Sequence, residues 1–120
     1  PDTEAFREGA AAYKGALDFA QFAYWQDGET LHARMFAPLD NIPEDPATGS
    51  ACAALGAFLA RLSSAPVAFT VLQGSDMGRP SRIGLQARDG SVTIAGQAVK
   101  TMQGQLTLSP LPLAKSPELG

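Results

Sequence analysis

The chain has 120 residues, of which 45% are hydrophobic and 18% are charged, and its formal net charge is −3. This length suits one domain with one modest core, and the composition is that of a globular chain rather than a disordered one. The acidic balance and the scattered basic residues argue against nucleic acid or an anionic membrane as the main partner. The longest apolar run, residues 51–62, is too short to cross a bilayer. We therefore expect a cytoplasmic protein.

The start of the chain does not look like a targeting segment. Its first residue is Pro1 rather than Met, and the residues that follow are acidic and polar. A secretory signal would be basic and then apolar. We interpret the sequence as a fragment, a processed product or a trimmed chain.

The first third of the chain predicts a helix and a hairpin. Residues 2–14 are rich in Ala and Glu, which is typical of an exposed helix. The aromatic run 17–25 and the alternating run 30–36 predict two strands, and Asp27-Gly28 predicts a two-residue turn between them. The alternation in the second strand places Leu31, Ala33 and Met35 on one face and His32, Arg34 and Phe36 on the other.

The rest of the chain predicts one central helix and further strands. A loop over residues 37–48 leads into a helix over 49–63, which is apolar nearly all round and so indicates burial on every side. Strands are expected at 67–73, 82–87, 91–95 and 97–108, the last one broken at Gly104, and residues 109–120 are expected to be a flexible tail. The sum is an α+β domain, an antiparallel-rich sheet around one buried helix.

The turn Glu44-Asp45-Pro46-Ala47-Thr48-Gly49-Ser50-Ala51 is the first candidate site. The first N–H groups of a helix lack intrahelical partners and carry a partial positive charge, so they can hold a carboxylate or phosphate. In one interpretation Asp45 is a general acid/base and the Gly49 and Ser50 amides bind substrate. In the other, Asp45 complements the helix dipole and Thr48 or Ser50 caps the helix.

The loop from Gln73 to Ser81 is the second candidate site. It leaves a predicted strand, contains two glycines and carries Arg79, whose guanidinium can bind a carboxylate through two hydrogen bonds. The alternative is a plain turn with Arg79 on the surface. His32 lacks a Ser or Cys partner at a usable spacing, and we interpret it as structural or solvent-facing.

Several chemistry-bearing patterns do not occur in this sequence. It has no lysine-bearing phosphate loop, no cluster with metal-ligand spacing and no Gly-x-Ser-x-Gly motif. The single cysteine, Cys52, excludes an internal disulfide, and in an apolar helix it is expected to act as a small hydrophobe. An enzyme built from this chain is expected to transfer protons without a metal or other cofactor.

Three motifs in order resemble those of the phenazine-biosynthesis PhzF-like family. They are His32-Ala33-Arg34-Met35-Phe36-Ala37-Pro38, the turn from Glu44 to Ala51, and Gln73-Gly74 with Met77-Gly78-Arg79-Pro80-Ser81. The resemblance covers roughly residues 1–108. It implies one lobe of a diaminopimelate epimerase-type fold, namely a mixed sheet curled as a barrel around a central buried helix.

The resemblance also implies a function. Family members have two such lobes with the active site between them, and the best-known member isomerises a dihydro-hydroxyanthranilate by shifting a proton without a cofactor. By that likeness Asp45 is an active-site residue, and Thr48, Gly49, Ser50, Gln73 and Arg79 bind a small carboxylated substrate. The epimerase relatives carry a catalytic cysteine just before the Thr-Gly pair, where this chain has Asp45-Pro46, so racemisation through two thiols is not expected.

The chain looks like the C-terminal lobe alone. The principal acid/base glutamate of the isomerase lies in the other lobe, and Glu44 belongs to the motif of this one. We therefore expect the isolated chain to be inactive and to associate with the missing lobe, a second chain or further copies of itself as a dimer. The alternative is a non-catalytic anion-binding or assembly domain.

Overall fold

A computed structural model describes residues 2–13 and 19–110 of the chain. The elements in chain order are α1 (Thr3–Ala12), β1 (Gln21–Asp27), β2 (Thr30–Ala37), a short 3₁₀ turn (Pro38–Asp40), β3 (Ile42–Asp45), α2 (Gly49–Ser63), β4 (Val67–Gln73), β5 (Ser81–Arg88) and β6 (Ser91–Ala95). The predicted helix 49–63 and the predicted strands 67–73 and 91–95 are confirmed to the residue. Lys14, Leu17, Asp18 and most of the predicted tail lie outside the described residues.

The strands form one mixed sheet in the order β1-β2-β4-β5-β6. The β2–β4 pair is parallel and the other pairs are antiparallel, which confirms the α+β class with an antiparallel-rich sheet. β3 pairs with β2 beyond the end of β4. Since β1 occupies the other edge of β2 along its whole length, β3 and β4 must lie end to end along the same edge.

Two predictions about the sheet are wrong. Within residues 2–13 and 19–110 the sheet is open, because β1 and β6 stand at opposite ends of the strand order and do not pair, so the predicted barrel is not formed. Residues 97–108 form no strand, and Val99, Met102, Leu106 and Leu108 are exposed. These residues have part of the alternation of a strand but pair with no strand of the described residues, and strand structure depends on such partners.

The predicted loop 37–48 contains more structure than its composition suggests. Its prolines and acidic residues favour a turn, yet Ile42–Asp45 form β3 against β2. A short edge strand tolerates a proline because its outward N–H needs no ladder partner.

The core lies between α2 and one face of the sheet. Alternation places inward-facing side chains of β2, β4 and β5 under the helix. The buried cluster consists of Leu31, Ala33, Cys52, Leu55, Val71, Ile83 and Leu85. Gly56 allows the close approach, since a Cβ at this position would lie 2.5 Å from Leu85 Cδ1.

α2 is buried on one side only, so the prediction of a helix surrounded by protein is wrong. Cys52, Leu55, Gly56 and Ala60 face the sheet, whereas Phe58 is 53% exposed and Leu62 is 67% exposed. The sequence is apolar on both sides of the helix, and periodicity alone cannot show which apolar side meets the sheet.

α1 packs on the opposite face of the sheet. Asp2 caps its start, because Asp2 Oδ1 accepts hydrogen bonds from the N–H groups of Glu4 and Ala5. Phe6 stacks on the buried Phe36 of β2 with ring centroids 4.4 Å apart. Among the described residues, neither helix has the length and apolar character needed to cross a membrane.

The one-sided burial of α2 makes a prediction for two large apolar residues of the helix. Leu55→Ala should lower the free energy of unfolding by about 2–5 kcal/mol because it opens a cavity under the helix. Phe58→Ala should lower it by about 1 kcal/mol or less, since the residue is 53% exposed. Urea unfolding followed by circular dichroism measures both, and equal losses would contradict the described orientation of the helix.

Candidate functional site

The turn between β3 and α2 begins at Asp45. The register pairs Asp45 with Met35 and Gln73 with Ala33, so Asp45 and Gln73 meet where β3 and β4 adjoin along β2. Asp45 and Thr48 are half-buried, and Thr48 Oγ1 donates a hydrogen bond of 2.5 Å to Asp45 Oδ2. The Asp45 Oδ1 atom accepts no hydrogen bond from the described residues, which leaves one carboxylate oxygen for a ligand.

Gln73 supports this turn from below. Its side chain is 1% exposed, its Oε1 accepts from the Thr48 N–H at 3.0 Å, and its Nε2 donates to the Asp45 carbonyl and to Thr48 Oγ1, each at 2.8 Å. A buried amide is tolerated only when it is hydrogen-bonded, and here both its ends are used. Gln73, which the sequence predicts to bind substrate, lies beneath the turn that carries Asp45.

The second candidate loop packs directly on the first. Ser81 Oγ donates to the Pro46 carbonyl at 2.7 Å. Gly74 has φ +79°, and a Cβ there would lie 2.2 Å from the Arg79 carbonyl oxygen and 2.9 Å from that of Pro46. Only glycine fits such a backbone at this distance. The two motifs, far apart in sequence, therefore form one structure.

The start of α2 is not capped by a side chain. Thr48 occupies the N-cap position but makes no capping hydrogen bond, because its hydroxyl is committed to Asp45. The first intrahelical bond runs from the Cys52 N–H to the Thr48 carbonyl. Within the described parts of the chain, the N–H groups of Gly49, Ser50 and Ala51 have no hydrogen-bond partner. Three backbone donors with a partial positive charge thus follow Thr48, whose hydroxyl contacts the Asp45 carboxylate.

Glu44 has a different environment from its neighbour Asp45. Its carboxylate makes a two-point ion pair with Arg34, from Nε at 2.8 Å and from Nη2 at 3.0 Å. Arg34 Nη1 also lies 3.3 Å from Asp76 Oδ2. The hydrogen bonds to Glu44 raise the pKa of Arg34, outweighing the effect of burial. Sequence reasoning missed this cluster because β3, which brings Glu44 to Arg34, was predicted as loop.

Among the described residues, neither Arg79 nor His32 makes a hydrogen bond to Asp45 or Thr48. The side chain of Arg79 is exposed, and its backbone N–H closes the loop on the Gly74 carbonyl at 2.9 Å. His32 stacks on Trp25 with centroids 4.1 Å apart and an interplanar angle of 6°. This position agrees with a structural His32.

Cys52 is fully buried and does not take part in the site. Burial raises the pKa of its thiol to about 11, from an ordinary 9.0. The prediction of a small buried hydrophobe is confirmed. Elsewhere among the described residues, no three His, Cys, Asp or Glu side chains are grouped so that they could hold a metal ion.

The fold and the site define an α+β domain that carries a carboxylate turn at an uncapped helix start. Residues 8–104 match the sequence profile of the family described as phenazine biosynthesis-like protein. The chain belongs to this family, as the motifs indicated.

Three curated relatives of the chain are named as isomerases. The chain is 34% identical over 98 residues to trans-2,3-dihydro-3-hydroxyanthranilate isomerase of Pseudomonas aeruginosa, which covers 76% of this chain and 35% of the relative. It is 40% identical over 84 residues to an uncharacterized isomerase of Mesorhizobium japonicum, which covers 63% of this chain and 28% of the relative. A third, from Clostridium acetobutylicum, is 36% identical over 89 residues, 66% of this chain and 30% of the relative. The chain thus spans about a third of the length of the relatives it matches.

Gly74→Ala should disrupt the contact between the two loops. The added Cβ would overlap the Arg79 and Pro46 carbonyl oxygens, and we expect a loss of about 3 kcal/mol or more in unfolding free energy. Gly78→Ala is the matched control, because φ is +75° there and no atom lies within 4 Å of its Cβ position. It should cost only the left-handed backbone strain, about 1 kcal/mol. Equal losses in thermal melts would show that the close approach of the Arg79 and Pro46 carbonyl groups to Gly74 contributes nothing to stability.

The buried Cys52 thiol makes stability depend on pH in alkaline solution. In the unfolded chain the thiol ionises from about pH 9, but in the folded chain it holds its proton until about pH 11. Deprotonation therefore favours the unfolded state, and the free energy of unfolding should fall as the pH rises through this window. Cys52→Ala removes this component, so its slope against pH in urea titrations should be shallower. Identical slopes would contradict the raised pKa.

Proposed function

We propose that this chain provides one wall of the active site of a cofactor-independent isomerase that moves a proton on a small cyclic carboxylate. The observation that carries the proposal is that Asp45 contacts the N-cap residue Thr48 and keeps Oδ1 free of hydrogen bonds from the described residues, while the three N–H groups of α2 that follow Thr48 are uncapped. Membership of the phenazine biosynthesis-like family and the isomerase names of the curated relatives support it.

The geometry suggests a role for each part of the turn. The N–H groups of Gly49 and Ser50 bind the substrate carboxylate, which the positive end of the helix dipole also attracts. Asp45 acts at the reacting carbon as a general acid/base or as a polar anchor, through Oδ1. The Thr48 hydroxyl holds the other oxygen and so fixes the plane of the carboxylate.

Arg79 and Gln73 contribute in different ways. Arg79 is exposed on the loop that packs against Pro46, and we assign its guanidinium to the outer rim of the substrate site. Gln73 is too deeply buried to present its amide to solvent. Its contribution to binding is therefore through the turn that it supports.

The proposed active site includes groups beyond this chain. Proton movement between two carbons is served by an acid and a base, and Glu44 is committed to Arg34. A second lobe, or another chain, would supply the partner group. The span of about a third of the relatives' length supports this arrangement. The isolated chain should then bind carboxylates without turnover.

A non-catalytic anion-binding or assembly domain is the second candidate function. The specific observation in its favour is that the Arg34–Glu44 pair leaves Asp45 as the one carboxylate of the turn outside an ion pair. A binding role uses the same amides and needs no proton-transfer partner.

The experiment separates binding from chemistry. In ¹⁵N-labelled chain, benzoate should shift the amide signals of Gly49 and Ser50. In the full product of the gene, proton exchange into deuterated solvent should occur on a cyclic amino or hydroxy acid, and Asp45→Asn should slow it by about 10²- to 10⁴-fold. Asp40→Asn, an exposed acid of the 3₁₀ turn, should leave the rate unchanged.

The possible outcomes differ clearly. Amide shifts without exchange, across a panel of cyclic amino and hydroxy acids, would favour the binding domain. Absence of both would eliminate the anion site, and with it both the isomerase and the anion-binding domain.

A further inference from the structure

We infer that Gln73 is a positioning residue that points the Thr48 hydroxyl at Asp45 and prevents it from capping α2. The inference rests on the proposed function only where it assigns Asp45 and the helix amides to substrate. The orienting role itself follows from the hydrogen bonds.

The direction of the Gln73 amide is fixed by backbone groups. A backbone N–H can only donate, so the atom 3.0 Å from the Thr48 nitrogen must be Oε1. A backbone carbonyl can only accept, so the atom 2.8 Å from the Asp45 oxygen must be Nε2. The two contacts agree. The flipped amide would place a donor against the Thr48 N–H and an acceptor against the Asp45 carbonyl.

This orientation determines the direction of the Thr48 hydroxyl. Nε2 has a second hydrogen, which it donates to Thr48 Oγ1 at 2.8 Å. The hydroxyl therefore receives one hydrogen bond from Gln73 and directs its own proton to Asp45 Oδ2 at 2.5 Å. The result is a one-way chain from the amide through the hydroxyl to the carboxylate.

The same chain keeps the start of the helix open. A threonine at the N-cap normally accepts a hydrogen bond from the N–H of the second or third helical residue, here Ser50 or Ala51. Thr48 makes no such bond. If Gln73 no longer held Oγ1, the hydroxyl could turn to cap α2. That rotation would cover one of the free amides and move the hydroxyl away from Asp45.

The unmodified chain gives the first test, by amide hydrogen exchange. The Thr48 N–H, bonded to the buried Oε1, should exchange at least about tenfold more slowly than the N–H groups of Ser50 and Ala51. Equal protection at all three positions would overturn the inference, because it would mean that the helix start is already capped. This measurement needs no ligand and no activity.

Gln73→Met gives the second test, since it keeps the length of the side chain and removes its three hydrogen bonds. We expect Ser50 or Ala51 to exchange about fivefold more slowly than in the unmodified chain, the size of one N-cap. In Gln73→Met/Thr48→Val, which has no hydroxyl, that added protection should disappear. Unchanged exchange in the folded single variant, or protection that persists in the double variant, would refute the switch.

Activity, where the full gene product has it, provides a separate readout. Gln73→Met should lower kcat about tenfold or more, as Asp45 loses its orientation. Suppose that benzoate shifts no amide signal and the substrate exchanges no proton, while the amide hydrogen exchange of Thr48, Ser50 and Ala51 follows the predicted pattern. In that case the proposed function fails and the role of Gln73 stands. If the Gln73→Met variant does not fold, the protection pattern of the unmodified chain decides the matter.

Discussion

The site depends on two strands that share one edge of β2. β4 pairs in parallel with the first half of β2, and β3 pairs antiparallel with the second half of β2. This places Gln73, at the end of β4, two register positions from Asp45, at the end of β3. The buried amide can then satisfy backbone groups of the turn that neither strand can satisfy, which a buried turn requires. The polar network is thus a consequence of the strand order.

Packing under α2 sets the other half of the geometry. Gly56 removes the Cβ that would meet Leu85, so the helix lies close to β5. The apolar core thereby fixes the direction of α2, and the first residues of the helix lie next to the turn that Gln73 supports. The polar turn fixes the Asp45 end of the connection between β3 and α2, and the apolar core fixes the helix end. The uncapped amides therefore have one orientation. A preorganised donor set of this kind loses little entropy when it binds an anion.

The sequence predicts the elements whose signals are local, but it does not predict elements whose formation depends on pairing with another strand. The helix 49–63 begins after a turn motif and ends at Ser63, and strand 67–73 has its own β-branched pattern, so both were found. β3 exists because it pairs with β2, whereas residues 97–108 pair with no strand of the described residues. The turn of Asp45 was found through its motif. The roles of Gln73 and Arg34 depend on contacts 25 and 10 residues away in sequence, which composition and periodicity do not show.

The adjacent acids Glu44 and Asp45 have different environments because they lie on opposite faces of β3. Successive side chains of a strand point to opposite faces, and the pairing of Asp45 with Met35 puts Asp45 on the face that carries α2. Glu44 consequently faces the other way, where Arg34 meets it. The Arg34 pair neutralises Glu44 and anchors β3 to β2, so the unpaired charge of the turn belongs to Asp45. A substrate carboxylate held by the helix amides would experience their positive end together with one nearby acid. One acid suits this arrangement better than a pair of acids would, because a second negative charge would weaken anion binding.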